Sequence, residues 1–238
     1  KVSILEKYNN KYLSIHNVYN LFDIDQNSKL DNYIIQQNSI KNNLYLSSYS
    51  TCKKNSFFNQ SVYNFSEGYV RNNHFSELID ENSEVSHTGF FFIKDNNISD
   101  NKTYVKHLAT NCKSNQIYKG VLENNSKASY FSNTYVDKDA QKTEGYQLSK
   151  GILLSESTTF FSKPELRIFA DDVKCSHGST IGPIDESSIF YLRSRGIKKS
   201  DAIKMLISAF VNDDLQKIEN NKIITVIEKN LMLFLKNL

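Results

Sequence analysis

Apolar and aromatic residues in the middle of the chain fall into short runs at roughly ten-residue spacing. The runs are rich in β-branched and aromatic residues, which is typical of strands. They cover Tyr104–Ala109, Gln116–Leu122, Ala128–Val136, Gln147–Leu154, Thr158–Phe161 and Glu165–Cys175. This pattern predicts a mainly β body, either a sandwich or a solenoid.

The turn chemistry helps to choose between these two architectures. The chain contains no Asn-Gly, Asp-Gly or Gly-Gly pair, so the strongest signals for tight antiparallel hairpins are absent. A parallel β-helix, whose corners are not hairpins, fits better. The Asn-rich runs Gln36–Asn43 and Asn124–Asn125 are then either loops or ladders of stacked Asn side chains.

After Gly182 the apolar period changes to that of helices. Asp185 can cap a first helix that runs to Arg195, and Gly196 follows where a left-handed C-terminal cap belongs. Ser200 can cap a second helix. Two apolar stripes at helical spacing follow, on the second and third helices: Ala202, Met205, Leu206, Ala209 and Phe210; then Ile223, Ile224, Ile227, Leu231, Phe234 and Leu235.

These patterns divide the chain into two regions. We expect residues 1–182 to form the β-helix core and residues 183–238 to form a small C-terminal helical domain that closes the end of the solenoid. The 238 residues are enough to bury a substantial core. The chain opens on Lys1 without an initiator Met or a leader, so we expect it to be a portion of a longer protein.

Composition and charge exclude several classes of partner. The 29 basic and 26 acidic residues leave a net charge of +3, too small and too dispersed for a nucleic-acid-binding surface. Charged residues interrupt even the apolar C-terminal region, which argues against a membrane span. Cys52, Cys112 and Cys175 are widely spaced and odd in number, which favours a reducing compartment over a disulfide framework. The roles of Cys52 and Cys112 stay open.

Cys175 and His177 carry the clearest chemistry. They lie two residues apart at the end of a strand-like run, directly before a helix, so a thiolate and an imidazole would project from one face. A metal site needs about three or four protein ligands, so the others would come from elsewhere, such as a second subunit. The alternative is a buried, unreactive Cys beside a hydrogen-bonded His.

Adjacent carboxylates offer a second chemistry. Asp171 and Asp172 could act as acid and base in a glycosidase, but neighbouring residues of a strand face opposite sides. Hydrogen bonds to the backbone, or pairing with Arg193 or Arg195, explain them more simply.

The remaining candidate ligands form no recognisable motif. His87, His107 and Cys112 match no compact metal-binding spacing. The chain also has no P-loop, GxSxG or HExxH motif, so we expect it neither to bind ATP through a P-loop nor to act as a catalyst of those types.

Several motifs resemble a known family. KPEL (163–166), ADDVKCSHGST (170–180) and FYLRSRGI (190–197) are similar to the C-terminal signature of SufD-type members of the SufB/SufD family, scaffold proteins for iron–sulfur cluster assembly. Upstream, YVRN (69–72), TGF (88–90), the run 107–119 and LLS (153–155) follow in the family's order. The resemblance is specific from Tyr69 to about Phe210.

The resemblance implies a right-handed parallel β-helix and a SufD-like, non-catalytic subunit. Such a subunit pairs with a SufB-like subunit through the end of the β-helix, and a SufC-type ATPase docks on the helices after Gly182. It also implies that His177 is a metal or cluster ligand shared with the partner, and that Cys175 is a thiol beside it. The iron–sulfur cluster is then transient at the interface, and the isolated chain holds no tightly bound cofactor.

Three further expectations complete this interpretation. The segment Glu165–Cys175 should pair across the subunit interface, with a homodimer as the product when the chain is isolated.

The abundance of Asn, Lys, Tyr and Ile, with no Trp, indicates AT-biased coding. Together with the resemblance this favours a plastid-type organelle such as the apicoplast, and otherwise the cytoplasm.

Two alternative functions stay open at this point. One is a β-helix carbohydrate-active enzyme, which would show a groove lined with carboxylates and aromatic rings on stacked turns. The other is a homodimeric structural protein without a metal.

Overall fold

The computed structural model describes residues 1–9, 12–37, 42–216, 218–236 and 238, so the Asn-rich run Gln36–Asn43 lies partly outside it. Strands fill the described chain as far as Pro183, and helices follow. The strands are β1 (Val2–Tyr8), β2 (Ile15–Ile24), β3 (Lys29–Gln36), β4 (Asn42–Cys52), β5 (Phe57–Asn64), β6 (Gly68–Leu78), β7 (Glu84–Ile93), β8 (Ile98–His107), β9 (Lys113–Leu122), β10 (Lys127–Val136), β11 (Thr143–Leu153), β12 (Thr159–Ile168) and β13 (Val173–Pro183). The helices are α1 (Glu186–Ser194), α2 (Lys199–Leu215) and α3 (Asn221–Lys236).

Successive strands alternate between two parallel sheets. Sheet A has the order β1-β3-β5-β7-β9-β11-β13, and sheet B has the order β12-β10-β8-β6-β4-β2. Each turn of the chain therefore adds one strand to each sheet, and about six turns stack into a parallel β-solenoid. The predicted parallel β-helix with C-terminal helices is confirmed.

Most predicted strand segments overlap observed strands, but Glu165–Cys175 is not one strand. β12 ends at Ile168, and β13 begins only at Val173. The corner between them rests on the corner of the turn below, where the Lys142 N–H donates to the Asp172 carbonyl at 2.6 Å. Asp171 and Asp172 interrupt the apolar pattern at this corner, and Asp is typical of turns, so the sequence carried a signal that the one-strand prediction overlooked.

Asn residues in the left-handed region form corners that lead from sheet B to sheet A. Asn27, Asn55 and Asn82 have φ of 58°, 55° and 59°, a conformation that Asn tolerates better than most residues. Asn55 Nδ2 donates to Asn27 Oδ1 at 3.0 Å, and Asn82 Nδ2 donates to Asn55 Oδ1 at 3.1 Å. Asn124 donates to Asp95 in the same way. Asn124 lies at a corner that leads from sheet A to sheet B, so the loop alternative is the correct one for Asn124–Asn125, and the ladder of Asn27, Asn55 and Asn82 was not among the predicted runs.

Helix boundaries follow the predicted caps at two of three positions. The Asp185 carboxylate caps α1 by accepting from two backbone N–H groups of its first turn, and Gly196 after α1 has φ of 86°. Both predictions are confirmed. The Ser200 cap is wrong, because Lys198 occupies the cap position of α2 and makes no side-chain cap hydrogen bond.

The apolar stripe of α3 is confirmed, whereas the buried face of α2 differs from the predicted one. Met205 is 50% exposed and Ala209 is also exposed. Ala202 is buried as predicted, but the other buried residues of α2 are Ile207, Val211 and Leu215, while Leu206 and Phe210 are half-buried. Apolar residues crowd this helix on more than one side, so spacing alone does not select the face. Among the described residues, no helix combines the length and hydropathy needed to cross a membrane.

α2 and α3 pack on the outer face of sheet A. The shared cluster joins sheet residues to helix residues: Tyr33, Ile35, Tyr63, Phe90, Phe92 and Val121 with Ile207, Val211, Leu215, Ile223, Ile227, Leu231 and Leu235. The expectation that the helical region closes the end of the solenoid is therefore wrong for these two helices. They lie where sheet A presents apolar residues outward, because burial of that face removes the most apolar surface from water. The domain division at residue 182 stays a prediction.

A buried ion pair fastens α2 to the sheet. Lys119 of β9 is only 7% exposed, and its Nζ lies 2.6 Å from Asp214 Oδ2. The same ammonium donates to the Phe210 carbonyl oxygen at 2.7 Å and lies 5.0 Å from the Phe210 ring centroid. The charge is thus compensated by three contacts with one helix.

Loss of one partner of this pair should be costly. We expect Lys119→Met to lower the free energy of unfolding by about 3–5 kcal/mol, because the Asp214 carboxylate stays buried without its cation. The double variant Lys119→Met/Asp214→Leu should recover most of this loss. Urea unfolding measures both.

A control on the same strand is Lys113→Met. Lys113 forms an exposed pair with Glu144 at 3.3 Å, and we expect its loss to cost less than about 1 kcal/mol. Equal effects at Lys113 and Lys119 would contradict the role assigned to the buried pair.

Polar side chains share the space between the two sheets with apolar ones. His74, His87 and His107 are fully buried. Each ring hydrogen-bonds to a serine at 2.7–2.8 Å, namely Ser48, Ser76 and Ser114. Burial lowers the pKa of His87 and His107 to about 3, and it lowers the pKa of His74 well below its usual range. The three imidazoles are therefore neutral in the folded protein at neutral pH.

This burial makes stability depend on pH. In the unfolded chain these imidazoles take up protons below about pH 6.5, whereas in the folded protein His87 and His107 do so only at about pH 3, and burial likewise lowers the pKa of His74. Stability should therefore be complete above about pH 6.5 and fall as pH decreases, by roughly 1.4 kcal/mol per pH unit for each histidine. Urea unfolding at pH 7.5 and pH 5 measures the slope.

Two variants distinguish the effect of histidine titration on stability from the effect of lost packing. His87→Gln should make the slope shallower, because Gln does not titrate in this range. Gln116→Leu removes a buried polar group without removing a titratable one, so it should lower stability by the same amount at both pH values. An unchanged slope in His87→Gln would refute the assignment.

Candidate functional site

The two candidate ligands lie on the last strand of sheet A. Cys175 pairs with Gly145 and His177 pairs with Gln147 of β11, so both side chains continue rows of the inner face of that sheet. Their predicted placement on one face is confirmed. The placement directly before a helix is not, because β13 continues to Pro183 and α1 begins only at Glu186. The segment after His177 extends the sheet for another six residues.

Cys175 sits in an apolar setting. The side chain is half-buried and packs against a small cluster of Val136, Ala140 and Ala170. Gly145 lies beneath it, and a Cβ at Gly145 would stand 3.2 Å from Cys175 Sγ. Desolvation raises the pKa of the Cys175 thiol, which keeps it protonated at neutral pH. A protonated thiol is a poor metal ligand and a poor nucleophile.

His177 sits in a different setting, at the exposed end of a buried polar row. Five polar residues of sheet A precede it in register, one on each turn, and all five are buried. The complete row is Asn32, Gln60, His87, Gln116, Gln147 and His177. His177 is exposed because no further turn covers it.

Hydrogen bonds link this row to the facing side chains of sheet B. Ser48 Oγ donates to Gln60 Oε1 at 2.8 Å. Thr134 Oγ1 accepts from Gln116 Nε2 at 2.7 Å and from Gln147 Nε2 at 2.8 Å. Hydrogen bonds therefore connect the polar row to sheet B near both ends of the row.

The strand and motif patterns did not predict this row, although the sequence carries a signal for it. Polar residues capable of both donating and accepting recur at positions 60, 87, 116, 147 and 177, at the length of one solenoid turn. The irregular turn lengths hid this repeat, because no single period aligns all five residues.

The other candidate ligands do not gather at the site. His87 and His107 bond to serines inside the solenoid, and Cys112 Sγ lies 3.3 Å from the Asp80 carbonyl oxygen at a corner. Cys52 is fully buried, and desolvation raises its pKa to about 12. Within the described residues, no group of three or more His, Cys, Asp or Glu side chains could hold a metal ion. Cys175 and His177 would thus need ligands from a second chain.

Asp171 and Asp172 lie at the exposed corner between β12 and β13. The main-chain N–H of Asp172 donates to Gln141 Oε1 at 2.9 Å, but this bond does not involve the Asp172 carboxylate, so the predicted hydrogen bonds from the two carboxylates to the backbone stay a prediction. Neither carboxylate forms a salt bridge with Arg193 or Arg195 in the described part of the chain. The corner offers no shared acid and base.

A groove on the outer face of sheet B does combine carboxylates with aromatic rings. Its carboxylates are both paired, since Asp100 lies 3.5 Å from Arg71 Nε and Glu165 lies 2.7 Å from Arg167 Nε. The hydrogen bond from Arg167 lowers the pKa of Glu165. A carboxylate held ionised in this way is a poor general acid, so the groove does not favour a carbohydrate-active enzyme.

Comparison with known proteins matches residues 1–210 to the family described as SUF system FeS cluster assembly, SufBD core domain. The Escherichia coli iron-sulfur cluster assembly protein SufD is 38% identical over 141 residues, which are 59% of this chain and 33% of that protein. A SufBD family protein of Synechocystis is 40% identical over 104 residues, 44% of this chain and 23% of that protein.

A plant protein also matches. Protein ABCI7, chloroplastic, of Arabidopsis thaliana is 39% identical over 111 residues, which are 46% of this chain and 23% of that protein. The matched part of the chain thus spans a third or less of the length of these curated relatives.

Proposed function

Because the chain belongs to the SUF-system SufBD core family, as its motifs predicted, we propose that it is a SufD-like, non-catalytic scaffold subunit for iron–sulfur cluster assembly. The observation that carries this proposal is the position of His177. An exposed imidazole ends a buried polar row at the open end of the solenoid, where a second subunit can reach it. The cluster is cargo and not a resident cofactor of the chain.

The same end of the solenoid suits a SufB-like partner. β12 and β13 are the last strands of their sheets, so each presents unpaired backbone N–H and C=O groups on its outer side. A partner that covers these edges would bring its own ligands close to His177. Together with the candidate ligands of this chain, they would reach the three or four that a metal site needs. Without that partner, a second copy of this chain would cover the same edges as a homodimer.

The helical region is the proposed dock for a SufC-type ATPase. On α1, Phe190 is 74% exposed and Tyr191 is 57% exposed, so two aromatic side chains are available there to a partner. α1 follows β13 after two residues, so movement of the ATPase would reach the strand that carries Cys175 and His177.

The proposed location is a plastid-type organelle. The chloroplastic relative and the AT-biased composition both support it, and the apicoplast is the organelle of this type that such a composition favours. The cytoplasm is the alternative.

Replacement of His177 tests the proposed function. In the complex with SufB-like and SufC-type partners, His177→Ala should leave subunit assembly intact, since an exposed side chain contributes little packing. It should abolish cluster formation, measured by visible absorbance and iron content. Cys175→Ser should have a milder effect, because the Cys175 thiol is partly buried among apolar groups. Normal cluster formation by His177→Ala would show that His177 is not a cluster ligand and has only a structural role.

The docking proposal is tested on the surface of α1. Phe190→Asp should weaken co-purification of the ATPase at least tenfold while leaving thermal stability unchanged, because the ring is exposed. Tyr19→Asp is a matched control, since Tyr19 is an exposed aromatic residue on sheet B, away from the helices. ATPase binding by Phe190→Asp at wild-type affinity would exclude α1 as the dock.

A further inference from the structure

We propose that Gln147 is a positioning residue for His177 and that its side-chain oxygen accepts a hydrogen bond from one imidazole N–H. The inference rests on the proposed role of His177 as a ligand. Gln147 and His177 are partners in register on β11 and β13, so their side chains lie in one row on neighbouring strands. Gln147 is 3% exposed, whereas His177 is exposed.

Two acceptors determine which way the Gln147 amide faces. Its Nε2 donates to Thr134 Oγ1 at 2.8 Å and to the Glu165 carbonyl oxygen at 3.2 Å. A carbonyl oxygen can only accept, so the amide nitrogen must stay on this side. The opposite orientation would place Gln147 Oε1 against the Glu165 carbonyl, which is repulsive.

This orientation leaves a buried acceptor without a donor. Gln147 Oε1 has no hydrogen-bond partner among the described residues. A buried acceptor of this kind costs free energy unless a donor reaches it. The next residue of the row is His177, whose ring is exposed and therefore free to turn toward the amide.

The chemistry of a histidine ligand makes this acceptor useful. A neutral imidazole binds a metal through one nitrogen, and the other nitrogen carries a hydrogen that needs an acceptor. An N–H bond to Gln147 Oε1 would select one tautomer and direct the free nitrogen away from the row, toward the open end. An amide does this without adding charge beside the cargo.

The first test determines the tautomer of the His177 ring in the metal-free protein. Long-range ¹⁵N–¹H NMR above pH 8 reports the tautomers, and the signals of His177 are assigned by their loss in His177→Asn. We expect one dominant tautomer in the wild-type protein and a mixture in Gln147→Leu.

Gln116→Leu is the matched control. Gln116 occupies the row one turn further in and bonds to the same Thr134, but it does not adjoin His177. This variant should keep the wild-type tautomer. An unchanged His177 spectrum in Gln147→Leu, or the same mixture in Gln116→Leu, would overturn the inference.

The second test measures Zn²⁺ affinity of the complex with the SufB-like partner by competition with a chelating dye. We expect Gln147→Leu to weaken binding by about 10–100-fold and Gln116→Leu to leave it unchanged. If His177→Ala weakens binding but Gln147→Leu does not, the positioning role is wrong. If His177→Ala itself binds Zn²⁺ as the wild type does, the ligand role of the proposed function fails, while the NMR result still decides whether Gln147 orients the ring.

Discussion

In-register stacking of parallel strands is the constraint on which the rest of this structure depends. Each residue of a strand lies above its partner on the turn below, so the side chains at equivalent positions of successive turns form one continuous row. Rows of like residues are stable in this arrangement, as the hydrogen bond between the side-chain amides of Asn55 and Asn27 at the corners illustrates. Because burial separates a polar residue from bulk water, its hydrogen-bond partners come chiefly from its row and from the facing sheet, as they do for Gln60 and Gln116.

The same constraint gives Cys175 and His177 different surroundings although they are two residues apart. Cys175 lies above Gly145, which has no side chain. Its thiol packs among the apolar side chains nearby. His177 ends a polar row that continues through the solenoid to Asn32. The first position protects a neutral thiol, and the second presents a polar ring whose lower neighbour is an oriented amide.

Coverage of the outer face of sheet A explains where α2 and α3 lie. Sheet A turns aromatic and aliphatic residues outward, and α2 and α3 bury them. The Lys119–Asp214 pair adds specificity to this packing, because a shift of α2 along the sheet would leave two charges unpaired. α1 lies next to the last strand and keeps Phe190 exposed, so the helical region combines a part that completes the core with a part that is open to a partner.

The sequence by itself determined the class of fold, the family and the identity of the two candidate ligands. Strand-like runs without hairpin signals predicted the parallel solenoid, and the motifs around Cys175 and His177 predicted the family. These features are local, since each depends on residues close together in the chain. Tertiary structure decided what local patterns leave open: the buried face of α2 and the place of the helices on sheet A. It alone revealed the row that ends at His177, because residues about thirty positions apart become neighbours only when the turns stack in register.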